Sequence, residues 1–271
     1  MSYFDYTFFR HALIGLVIIS IVGAMIGTYI TTRRMVSITG GITHACFGGL
    51  GLGYFLGISP IATAAVFSVA SALGIEELST RYRVREDSAI AVVWSLGMAV
   101  GILFVFLTPG YVPELTTFLF GNVLTIGIGD LIAFAVYAVV VGVFMLACRK
   151  LIVVCAFDSD FARVAGLPVR TVNTLMTAIV AVGIVLTIRL IGIMLLISIL
   201  TVPVIVAEIW CRRFTSIILL SALVGLATSV GGLFLATVVD VPCSAMIVLL
   251  QIVVYVLSRA AFEITMHRRM Q

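Results

Sequence analysis

Charge is what this sequence has least of: Asp, Glu, Lys and Arg make up 10% of its 271 residues, against 62% hydrophobic, with a mean hydropathy of +1.29. That balance excludes a water-soluble domain of this size and, by the same numbers, a disordered chain. The apolar runs lack the period-2 alternation of barrel strands, so an outer-membrane barrel is excluded too and membrane-spanning helices remain. The five cysteines (Cys46, Cys148, Cys155, Cys211, Cys243) are scattered without a C-x-x-C pair, which removes a zinc ribbon and a disulfide scaffold. They read as small buried hydrophobes. No G-x-x-x-x-G-K-[ST] occurs, so the chain does not hydrolyse ATP itself. No H-E-x-x-H or converging Ser/His/Asp set appears, which leaves a membrane-embedded enzyme without a nucleophile and base. The net charge of +4 does not point to nucleic acid; in a membrane protein the basic residues report topology.

What is present is a succession of apolar runs. With about 20 residues per span as the ruler, the chain is expected to be an all-α, polytopic helical bundle with spans at 11–31, 36–57, 60–76, 88–107, 130–147, 171–188, 190–207, 214–236 and 243–258. The first of these, preceded by Asp5 and no basic run, reads as a span and not a signal peptide. Pro60, Pro109, Pro113, Pro168 and Pro242 fall at the gaps, and Pro203, inside a span, predicts a kink. Placing the N-terminus outside puts 14 Lys and Arg residues on the inner side and leaves only Arg10 and Arg189 outside. The count of nine requires a tight reversal at Arg189-Leu190-Ile191-Gly192; without it two spans fuse, the count is eight, and the basic tail changes side. Residues 110–129 read as an outer loop with a short interfacial or re-entrant helix. With no linker of distinct composition, residues 1–271 are expected to form one membrane domain.

Two stretches carry candidate chemistry. Residues 40–57 are dense in glycine, which in a soluble helix would cost roughly 1 kcal/mol each relative to alanine. Gly41, Ala45, Gly49, Gly53 and Gly57 recur every four residues and form a smooth face for close helix packing. His44 shares a helical face with Gly40 and Gly48 beside that ladder. An ionisable side chain at membrane depth marks a pathway or relay, and imidazole suits zinc and other borderline metals; the alternative is a neutral histidine bonded to a neighbouring carbonyl. Cys46 lies about 200° round the helix and cannot join it. The second stretch is 157–170. Asp158 or Ser159 can cap a short helix, Phe161, Val164 and Ala165 give it an apolar side, and Gly166 with Pro168 ends it. Such a helix either docks a partner or lies on lipid. Glu76, Glu77, Glu86 and Asp87 read as a solvated loop with Arg81, Arg83 and Arg85, and Asp130, Asp240 and Glu114 as caps or turns.

At these residues the sequence resembles the permease subunits of bacterial ABC importers for zinc, manganese and iron. Thr43-His44-Ala45 resembles the family's Ser-His-Ala motif in the second span. Phe157-Asp158 through Ala162 and Gly166-Leu167-Pro168-Val169 are similar to its coupling segment, and Ile191-Gly192-Ile193 to Thr201-Val202-Pro203 is similar to its Gly-to-Pro helix. Phe118-Leu119-Phe120-Gly121-Asn122 and Asp240-Val241-Pro242 match further turns in the same order. Two departures stand out: family members usually carry an aspartate where this chain has Gly40, and a glycine where it has Ser244.

The resemblance implies a multi-pass protein of the bacterial inner membrane, N-terminus outside and C-terminus cytosolic, working as a homodimer or paired permease. It implies an ATP-binding ABC subunit docking on a coupling segment at 155–170 through Asp158, Asp160, Phe161, Ala162, Ala165 and Gly166. It further implies an extracytoplasmic metal-binding protein that delivers the ion, and His44 as a ligand on the transport pathway. No cofactor is bound permanently; the ion carried is a divalent metal, with zinc favoured over manganese or iron because a carboxylate is missing at Gly40. Two alternatives are a permease for a chelated metal or vitamin, with a wider path that does not need His44, and a secondary metal transporter. The latter would need intramembrane carboxylates that the spans scarcely contain.

Overall fold

A computed structural model describes residues 6–109, 121 and 123–269, and every regular element among them is helical. The helices are α1 (Thr7–Thr32), α2 (Val36–Leu56), α3 (Pro60–Thr80), α4 (Glu86–Leu107), α5 (Ile128–Ala147), α6 (Arg149–Phe157), α7 (Ser159–Val164), α8 (Val169–Trp210), α9 (Phe214–Val239) and α10 (Cys243–Arg269). Of the segment 110–129, Gly121 and residues 123–129 are described, with a 3-10 turn at Val123–Thr125; the short helix expected there falls mostly outside the described residues.

Seven of these helices, α1, α3, α4, α5, α8, α9 and α10, are long and apolar enough to cross a membrane. The 21-residue α2 is not among them, because its glycines, threonines and His44 dilute its hydropathy. The 42 residues of α8 would run about 63 Å as one straight helix, about twice the hydrocarbon thickness of a bilayer. Its backbone leaves the helical region at Gly192 (φ 76, ψ 171), so α8 is two helical segments joined at a residue for which glycine is the permissive choice. That break lies within the reversal expected at 189–192. The helix continues through Pro203, and Gly192 is where the non-helical backbone occurs.

The chain divides into two compact units. One comprises Arg33–Leu119 and Cys148–Arg189, with α2 at its centre. Here α3 lies antiparallel to α2: a Cβ on Gly49 would stand 2.6 Å from the Cα of Ala64, and Gly53 abuts Pro60 and Thr63. Along the other flank α4 runs parallel, with a Cβ on Gly97 falling 2.5 Å from the Cα of Ala45 and Gly41 pressed on Ile90. At Gly49 and Gly97 backbone meets backbone, so any larger side chain there would force the helices apart. Gly57 departs from the expected packing face: it caps α2 in the left-handed conformation (φ 67), and a Cβ there would meet nothing within 4 Å. The first segment of α8 runs antiparallel to α3, from Arg170 beside Glu77 to Ile188 beside Ile61.

Glu76 and Glu77 are not in a loop, because α3 continues to Thr80. Glu77 is held by Arg81 at 3.2 Å and by Arg170 at 3.6 Å.

The other unit comprises Met1–Thr32, Phe120–Ala147 and Leu190–Gln271. The second segment of α8 runs along α1, with Ile199 at Gly23 and Leu200 and Val204 at Gly27. On α1, Ser20 donates to Leu16 O (2.7 Å) and to Ser229 Oγ of α9 (3.4 Å), and Phe9 meets Phe234 edge-on. Ser198 donates to Oε1 of Gln251 on α10 at 2.6 Å, both residues buried. The hydroxyls of Thr28 and Thr31 bond back to Ala24 O and Gly27 O, as polar groups inside a membrane helix must.

Candidate functional site

The close flanks of α2 leave a third side, and His44 stands on it. Its polar neighbours turn back onto their own helix: the Thr43 hydroxyl donates to Thr39 O at 2.6 Å and the Cys46 thiol to Thr43 O at 2.9 Å. Cys46 is thereby buried and directed away from His44. His44 is half-buried. Its ring stacks on Trp94 of α4, centroids 4.3 Å apart and planes within 6°, and is tilted against Phe47 at 6.4 Å. Nδ1 is buried and has no hydrogen-bond partner among the described residues, so the alternative of a carbonyl-bonded histidine does not describe it. One turn before it, a Cβ on Gly40 would meet nothing within 4 Å. The position one turn before His44 is thus open to a side chain.

An imidazole stacked through its face keeps its in-plane lone pair, so His44 retains the chemistry of a ligand. It is one donor, however: among the described residues no three His, Cys, Asp or Glu side chains gather where they could hold a metal ion. An ion at His44 would need further donors from water or from another chain.

At 157–170 the local logic is that of capping. The Asp158 carboxylate accepts from the Phe161 N–H at 2.8 Å and starts α7. At its end Gly166 takes the left-handed conformation (φ 74), with its N–H on Arg163 O and the Leu167 N–H on Ala162 O. Ala162 faces inward and is buried, Ala165 is exposed, and Asp160 pairs with Arg163 at 3.3 Å on the exposed side. Phe157, Phe161 and Val164 project outward, Val164 90% exposed, and make an apolar knob on a rigid turn. From α6, the Cys155 carbonyl accepts from Arg33 Nη1 at 3.1 Å, tying the segment to the start of α2. Burial pushes the Cys155 thiol up, against a smaller pull from the Arg33 charge, so it is not a reactive thiolate. Beside α7 lies a cleft of about 820 Å³ lined by Glu76, Glu77, Arg81, Arg163, Arg170 and Asn173 among others.

The remaining acidic candidates behave as ends of helices. Asp130 accepts from the Gly127 N–H at 3.2 Å at the start of α5, and Asp240 is the left-handed C-cap of α9. Glu114 lies outside the described residues. Two features escape a reading of the sequence. Trp94 gives no local sign of its stack on His44, although it stands one turn before the glycine that seats α4 on α2. Likewise α6, which opens on Arg149-Lys150, resembles a basic loop until Ile152 and Cys155 are seen to be buried.

A family model described as "ABC 3 transport family" matches residues 5–261 of the chain. A probable metal transport system membrane protein of Chlamydia pneumoniae is 34% identical over 238 residues, covering 85% of this chain and 81% of that protein. The manganese transport system membrane protein MntC of Halalkalibacterium halodurans is 28% identical over 255 residues, 94% of this chain and 87% of that one. Among solved structures, PsaBC from Streptococcus pneumoniae in complex with Fab superposes with a TM-score of 0.84 at 25% identity, covering 94% of each chain.

Proposed function

The chain belongs to the ABC 3 transport family, and from that premise we propose that it is the membrane-spanning permease subunit of an ABC-type importer of divalent metal ions in the bacterial inner membrane. It has no P-loop, so a separate ATPase subunit supplies the energy. The observation that carries the reading is His44, a metal-ligand side chain at span depth on the open side of a helix whose other flanks are sealed by glycine contacts.

The seven span-length helices, the addition of α2 and the division of α8 at Gly192 support nine spans, and an N-terminus outside would put 14 of the 16 Lys and Arg residues on the inner side. Two copies, or a paired permease, would complete what one chain lacks. The face carrying His44 and Gly40 would turn toward the shared pathway, so that two imidazoles and water hold the ion. Without a carboxylate this donor set leans to zinc over manganese. An extracytoplasmic binding protein delivers the ion, and few ligands let it leave as the subunits reorient.

The deciding experiment is metal uptake in cells carrying His44→Ala. Uptake falls by about tenfold or more, the scale on which a metal site loses function when a ligand is disturbed, while the amount of protein in the membrane holds. Undiminished uptake would refute the role given to His44.

The ATPase docks on α7, where Asp158 and Gly166 fix the two ends of the apolar knob of Phe157, Phe161 and Val164; Asp160 and Ala165 lie exposed beside it, while Ala162 is buried and supports the turn from within. A cysteine at Ala165, in a background with the five native cysteines replaced, tests docking and orientation together. It crosslinks to the ATPase and resists an impermeant thiol reagent added to intact cells. Labelling from outside would overturn the orientation, and failure to crosslink would overturn the docking.

A further inference from the structure

We propose that Trp94 is the positioning residue of the His44 site: its indole holds the imidazole in one plane and so keeps it ordered for the ion. The inference rests on the reading of His44 as a pathway ligand. Histidines that bind metals ordinarily tie their second ring nitrogen to a carboxylate, carbonyl or water, and that bond fixes the ring. Nδ1 of His44 has no such partner among the described residues, and one turn away Gly40 offers none. The ring is nonetheless aligned, within 6° of the indole plane at 4.3 Å. Stacking therefore does the orienting that a hydrogen bond does elsewhere. Nδ1 is buried, so Nε2 is the nitrogen on offer.

The stack lies between two close contacts of α2 with α4, one of side chain on glycine and one of backbone on backbone. One turn before Trp94, Ile90 is seated on Gly41; one turn after it, Gly97 is seated on Ala45. These two contacts pin α2 to α4 on either side of the His44–Trp94 pair and set its register. Trp94 is itself 42% exposed, so the helix contact does not need the indole and replacing it leaves no core cavity. A ligand already held in its binding orientation binds more tightly than one that must be ordered when the ion arrives. Loss of the stack should accordingly weaken capture without slowing the steps that follow.

The test is Zn²⁺ uptake by the complete transporter in cells, read as KM and Vmax at matched protein level. Trp94→Leu raises KM by roughly 2- to 10-fold, the range an aromatic pair is worth, with Vmax unchanged. Trp94→Phe, which keeps a stacking face, stays close to the parent. Should the leucine variant fail to accumulate, Trp94→Met reads the same loss of an aromatic face. An unchanged KM in the non-aromatic variants overturns the proposal. So does an equal loss of Vmax in Trp94→Phe and Trp94→Leu, which would mark a purely structural role. His44→Ala run beside them separates the two readings. If it abolishes uptake while Trp94→Leu is normal, Trp94 alone loses its role; if it leaves uptake intact, both fall.

Discussion

His11 and His44 lie on glycine-bearing helices of different units and are held by opposite means. Nδ1 of His11 donates to the Ile126 carbonyl at 3.1 Å, so that imidazole is spent on joining α1 to the turn ahead of α5. His44 has its buried nitrogen unpartnered and its ring against an indole. The helices differ in the same sense. On α1 the hydroxyls of Ser20, Thr28 and Thr31 are all bonded; Gly23 has room for a Cβ, 3.6 Å from Ile199 O, while Gly27 presses on the Leu200 backbone as closely as any glycine of α2. On α2, Gly49 and Gly51 are in near-backbone contact and the histidine has its buried nitrogen unpartnered. A polar group inside a membrane is expensive unless paired. On the proposed reading of His44, the ion that comes and goes meets Nε2, while the buried Nδ1 stays unpaired.

The largest effect should come from closing the gap that makes α2 different. A Cβ on Gly49 would lie 2.6 Å from the Cα of Ala64 and from Thr63 O, both backbone atoms with nowhere to go. Gly49→Leu should therefore destabilise the protein by about 1–3 kcal/mol or more, seen as lost accumulation or a lowered melting temperature. If it is tolerated, the backbone contact between α2 and α3 does not hold the helix that carries His44. Gly40→Asp sharpens the comparison in the other direction. There is space for the side chain, and a carboxylate one turn from His44 adds charge and a hard oxygen ligand. Uptake KM for Mn²⁺ should fall by roughly tenfold, about 1.4 kcal/mol, with less gain for Zn²⁺. An unaltered metal preference would mean that position 40 does not face the ion.

How far these features could be read from sequence follows from whether their causes are local. The spans were legible because run length and proline position decide them: Pro60 opens α3 with Ser59 as its cap, and 36–57 is α2 to within a residue. Gly192 was legible because a tight reversal needs a residue that tolerates positive φ, and α7 because Asp158 and Gly166 mark its ends within eight residues of each other. Long-range causes were hidden. Glu76 and Glu77 look like loop residues until Arg170, far along the chain, is found beside Glu77. Gly57 continues a four-residue rhythm, yet the chain needs it as a cap. The His44–Trp94 stack depends on the register of two helices, set where Gly97 meets Ala45, and no local pattern encodes it.

The smallest expected effect is also the sharpest control. His11→Ala removes a donor from a half-buried bond to Ile126 O, which should cost about 0.5–1.5 kcal/mol and lower the melting temperature slightly. Because that bond joins α1 to the turn before α5, the loss falls on stability, and uptake KM and Vmax at matched protein level should stay as they were. His11→Gln, which keeps a donor on a shorter arm, should recover part of the stability. The carbonyl that loses its partner is a backbone group with no role in holding an ion, so nothing downstream of capture should change. If His11→Ala instead weakens uptake as His44→Ala does, the two histidines belong to one path. The division between a structural imidazole that is bonded and a working one that is left free then fails.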